Sequence, residues 1–115
     1  MRNPFDAYAS YKQRGPGVFD WPEEPVSGAA AFARIWSRLA TEFHDLAGDA
    51  QCMLVRYEDL SEAVPAIREH TALASVAAPG DLSGQPTARG SGELTLIERT
   101  TLRTRTKAAR ALLGY

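Results

Sequence analysis

One run of four apolar residues constrains this chain more than any other feature. Cys52-Met53-Leu54-Val55 is short, continuous and bounded by Arg56, as expected of a buried parallel strand. Elsewhere the periodicity is helical. Phe32, Ile35, Trp36, Leu39, Phe43 and Leu46 recur at i, i+3, i+4, i+7, i+11 and i+14, which is one stripe of a helix starting near Ser27 and stopping at Gly48. Asn3 as a cap, with Pro4 in the first helical position, predicts a helix over 4–12. Pro65 opens another, to about Ala74. Thr95 and Glu98 form a capping box for a last helix over 96–113, ending at Gly114; Leu102, Ala109 and Leu113 keep its spacing. A single strand makes no sheet, and a four-residue apolar strand among helices usually belongs to an α/β layer. The expected class is therefore α/β, mostly helical as a fragment, with about four helices, one buried strand and the partner strands upstream of residue 1.

Composition bounds the rest. The 115 residues make one domain with a modest core. Residues 15–28 hold three Gly and three Pro with Phe19 and Trp21 among them, and residues 79–92 hold four Gly and two Pro. Both read as loops, and neither requires a domain boundary. A formal net charge of -1 provides no global field toward nucleic acid or an anionic membrane. Arg99, Arg103, Arg105, Lys107 and Arg110 crowd the last helix. They read as a solvated face, because the total is near neutral and no aromatics interleave them. Cys52, the one cysteine, excludes a disulfide framework and a cysteine-rich zinc site. It fits a reducing, cytoplasmic compartment. No apolar run approaches 18 residues and none follows Arg2 as a signal peptide would, so neither a membrane span nor a leader is expected.

The chemistry-bearing stretch is the first. A helix start offers backbone amides and a partial positive charge. Arg2 just before it adds a fork of donors that matches phosphate, and Ser10 adds a hydroxyl two turns on. The set suits a phosphate monoester. His44 and His70 fall in predicted helices and read as solvated histidines.

The stretches "RNPFDAYASY", "FARIWSRLA", "MLVRYEDL", "RGSGELTLIER" and the terminal "LLGY" come in an order that resembles the C-terminal half of the sulfotransferase family. That family uses 3′-phosphoadenosine 5′-phosphosulfate (PAPS) as sulfonyl donor. The resemblance covers nearly the whole chain, and "RNPxDAYxS" and "VRYEDL" are its specific parts. It implies a P-loop-like three-layer fold, with Arg2 and Ser10 gripping the donor's 3′-phosphate. It also implies Tyr57 beside the adenine, and Arg89 and Gly90 in a shortened loop closing over the same phosphate. Glu58 and Asp59 read as structural, bonding nearby backbone. The implied acceptor is a hydroxyl or amine, with no metal. The family's Gly- and Ser/Thr-rich 5′-phosphosulfate loop and its upstream base are missing, so no catalytic residue is assigned. The chain alone is expected to be inactive. A truncated frame, a separately encoded half and a decayed remnant all fit. A missing N-terminal half, or self-association through uncovered apolar surface, is the expected partner. The alternative is a non-catalytic helical interaction protein derived from such a fragment.

Overall fold

The structure, a computed structural model, describes residues 1–14, 25–49, 52–71 and 94–115. Helix α1 spans Pro4–Arg14. Asn3 starts it as expected: its side-chain oxygen accepts the Phe5 N–H at 3.0 Å and its carbonyl accepts the Ala7 N–H at 2.9 Å. Pro4, which has no N–H to satisfy, is fully buried at the first position.

Helix α2 spans Ala29–Leu46, starting two residues after Ser27. Gly28 sets that start with φ 149°, a backbone region that a side chain makes costly. The helix buries Ala31, Ala33, Ile35, Trp36 and Ala40. Leu39 is half-buried, while Phe43 and Leu46 stay exposed. The stripe therefore continues past the point where the core ends.

Helices α4, Leu96–Arg105, and α5, Lys107–Leu112, replace the single predicted helix over 96–113. Thr95 and Glu98 make the expected reciprocal capping box. The break falls at Thr106, which is fully buried and donates its hydroxyl to the Leu102 carbonyl at 2.6 Å. A threonine bonding back one turn in this way disturbs the helix around it. Helix α3 spans Leu60–Thr71 behind a 3₁₀ turn at Tyr57–Asp59. It begins five residues before Pro65, which lies inside it.

Helix α2 forms the centre of the packing. Its N-terminal half meets α1 and α4, where Ala33 joins Tyr8, Ala9, Leu94 and Leu102. Its middle meets α5, where Trp36 and Ala40 pack with Ala109 and Leu113. Ser37 donates to the Arg105 carbonyl at 3.3 Å between these clusters. The order of these contacts means that α2 and the α4–α5 pair run in the same direction. Ala33, Ala40 and Ala9 are fully buried, because small side chains let helix backbones approach closely.

The α/β expectation is overturned: among the described residues there are five α-helices and one 3₁₀ turn, and no strand. Cys52–Val55 has no regular secondary structure; Cys52 and Met53 are exposed, and Leu54 and Val55 half-buried. The physical reason is the lack of a ladder. The Met1 nitrogen donates to the Val55 carbonyl, and the Tyr57 N–H donates to the Met1 carbonyl at 2.7 Å. That is the pattern of one parallel bridge between Met1 and Arg56. Leu54 packs against the Trp36 cluster instead. No helix among the described residues is long and apolar enough to cross a membrane.

Candidate functional site

Three segments far apart in sequence converge at one corner: Met1–Asn3, Val55–Asp59 and the chain end at Tyr115. Beyond the bridge at Met1, the Asn3 N–H donates to Glu58 Oε1 at 2.8 Å across 55 residues. The other Glu58 oxygen accepts the Tyr115 hydroxyl at 2.9 Å, and that hydroxyl also lies 2.7 Å from the Met1 carbonyl. Trp36 of α2 anchors the corner from below, donating its indole N–H to the Arg2 carbonyl at 3.1 Å. The backbone of Arg2 is thereby held from the core side.

The Arg2 guanidinium lies over the Tyr57 ring, 4.9 Å from its centre, a cation–π geometry. Among the described residues Arg2 makes no ion pair. Its charge is placed by a ring rather than neutralised by a carboxylate. Arg56, one residue before Tyr57, differs: it pairs with Asp59, donates to the Gly114 carbonyl at 2.9 Å and lies over the Tyr115 ring. Burial, reinforced by the bond to Glu58, pushes the Tyr115 hydroxyl above its ordinary pKa, so it stays a donor at neutral pH. A groove of about 390 Å³ opens beside the corner, lined by Met1, Leu54, Val55, Arg56 and Leu113 among others.

The structure thus brings Arg2 and Tyr57 together. Ser10 stays on the body of α1, half-buried, roughly 9 Å along the axis from Pro4 at 1.5 Å per residue. Arg89 and Gly90 lie outside the described residues, as do Phe19 and Trp21. The start of α1 offers an anion less than its sequence suggests. Pro4 has no N–H, Asn3 takes that of Phe5, and Asp6 puts a carboxylate in the first turn. Any anion contact here falls mainly to Arg2. Glu58 was expected to bond nearby backbone and instead ties both chain ends. Tyr115 went unassigned; its signal was the terminal "LLGY" after a helix.

A second polar corner joins α1 to α4. Glu98 takes the Thr95 N–H at 2.8 Å, Lys12 Nζ at 3.0 Å and the Tyr8 hydroxyl at 3.3 Å. The Thr95 backbone bond, with help from Lys12, holds its carboxyl down at about 2. Burial and the neighbouring Glu98 push Tyr8 up to about 12. All of these groups satisfy one another. His44 is exposed beside Asp45 at 3.5 Å, and His70 is exposed on α3. Among the described residues no cluster of His, Cys, Asp and Glu could hold a metal. No family model, no curated protein and no solved structure matches the chain.

Proposed function

We propose that this chain carries the 3′-phosphate and adenine side of a PAPS-binding site in a sulfotransferase-family protein. The complete enzyme transfers a sulfonyl group to a hydroxyl or amine acceptor. The observation that supports this is the meeting of Arg2 with Tyr57, because these residues belong to the two most specific motifs of the resemblance. The residues fit the ligand in kind: a guanidinium outside any ion pair among the described residues for a phosphate, and a partly exposed aromatic ring for a base. When bound, the donor supplies the sulfonyl group. Arg2 holds its 3′-phosphate, Tyr57 places the base, and Trp36 and Glu58 hold the backbone that carries both. Among the described residues, Glu58 is taken up by Asn3 and Tyr115 and Asp59 by Arg56, so neither carboxylate of this corner is left to deprotonate an acceptor, and the chain alone binds without turnover. The lone exposed Cys52 suits a reducing, cytoplasmic setting.

Calorimetric titration with adenosine 3′,5′-bisphosphate and with 5′-AMP tests the reading. The bisphosphate binds more tightly, and Arg2→Ala weakens it by about 1.5–3 kcal/mol, roughly ten- to hundred-fold. Equal binding of both nucleotides, or indifference to Arg2→Ala, removes the reading. A second reading, a non-catalytic helical interaction protein, is favoured by the exposure of Leu96 and Ile97 at the start of α4.

A further inference from the structure

Helix α2 outruns its cover. Every residue from Thr41 to Asp49 is exposed, yet the apolar stripe continues through Phe43, 42% exposed, and Leu46, 53% exposed. Glu42, Asp45 and Asp49 lie on the same stretch of chain, with Glu42 3.8 Å from Arg38. The start of α4 carries Arg99 and Arg103, and its one carboxylate, Glu98, is paired with Lys12 at 3.0 Å. Leu96 and Ile97 are 81% and 79% exposed. Next to them a groove of about 350 Å³ is lined by Phe5, Leu94, Leu96, Arg99, Thr100 and Arg103. Because α2 runs in the same direction as α4–α5, the acidic and the basic apolar patches sit at opposite ends of one helix layer. They cannot meet within one chain.

We propose that the chain associates head to tail with a second copy of itself, the Phe43–Leu46 end of α2 docking on the Leu96–Arg103 start of α4. Charge selects this occupant. Two α2 ends placed together would oppose Asp45 and Asp49 with their own copies, whereas the α4 groove presents Arg99 and Arg103. A heterologous contact of this kind leaves one patch open at each end, so it propagates rather than closing as a dimer.

The test is sedimentation of the intact chain over a range of concentrations at low salt. The average mass should climb from the 12.5 kDa of one chain without settling at twice that value. Raising salt to about 0.5 M should reduce it, since exposed charges are screened. Asp45→Lys alone and Arg103→Glu alone should each weaken association about tenfold, and an equimolar mixture of the two should recover most of it, because each new charge meets its opposite. Ile97→Ser, an exposed change that leaves the core intact, should weaken association without lowering Tm. A monomer at every concentration overturns the proposal. So does a discrete dimer indifferent to Arg103→Glu, or a mixture no better than its components.

Discussion

The corner around Glu58 and the corner around Glu98 use the same parts for different ends. Each has a carboxylate that accepts a tyrosine hydroxyl from a distant segment, Tyr115 in one and Tyr8 in the other. At Glu98 the carboxylate also takes a lysine and its own helix cap, so charge and donors cancel within the corner. At Glu58 the partners are a backbone N–H and a hydroxyl, while Arg2 beside it rests on a ring. The first corner is a lock between helices. The second holds a cation over a ring, with no ion pair among the described residues.

The largest expected effect breaks the support of the second corner. Trp36 is 5% exposed, so Trp36→Ala should cost about 3–5 kcal/mol in chemical denaturation. Trp36→Phe, which removes the bond to the Arg2 carbonyl and little volume, should cost far less while still weakening bisphosphate binding. If both variants lose binding only in proportion to lost folding, Trp36 does not position Arg2.

Next in size is Glu58→Ala, which leaves the Asn3 N–H and the Tyr115 hydroxyl without this acceptor. A loss of about 1–3 kcal/mol is expected, with hydrogen exchange of the Asn3 amide accelerated. At the other corner Thr95→Ala should remove the cap at about 0.5–2 kcal/mol, without touching nucleotide binding. A binding change in that variant would mean that the two corners are coupled rather than separate.

Much of this was readable in advance, and the rest was not, for physical reasons. Caps are local, so Asn3 with Pro4, and Thr95 with Glu98, could be placed from spacing alone. Helix α2 announced itself by period, and Trp36 lies where the stripe puts it. The stripe could not say where cover would stop, because that depends on the reach of α4–α5, so Phe43 and Leu46 looked like core. The strand at Cys52–Val55 failed for a related reason: an apolar run becomes a strand only with a neighbour to pair with, and here the pairing is one residue wide. Of the site residues, Arg2 and Tyr57 came from motif letters. Their meeting depends on Glu58 and Tyr115, which no local pattern links.

The pH dependence tests the Glu98 corner with smaller effects. Glu98, depressed to about 2, contributes stability that is full above the ordinary carboxylate range near 4.5 and is lost as pH falls through about 2. Thermal melts should show a decline across that interval that Glu98→Gln diminishes. Tyr8, raised to about 12, contributes stability that is full below about 10 and is lost as pH rises through about 12. Tyr8→Phe should flatten the alkaline limb, and an unchanged limb would remove Tyr8 from the lock.

In the proposed function Arg2 and Tyr57 act as one site, and a double-mutant cycle on the Kd for adenosine 3′,5′-bisphosphate is the sharpest check of that. Arg2→Ala, Tyr57→Leu and the double variant would be titrated alongside the unaltered chain. Residues in contact couple by about 0.5–3 kcal/mol. The double variant is expected to bind little worse than the weaker single one. Losses that simply add would show that the two motifs lie side by side without sharing a ligand, and would contradict it.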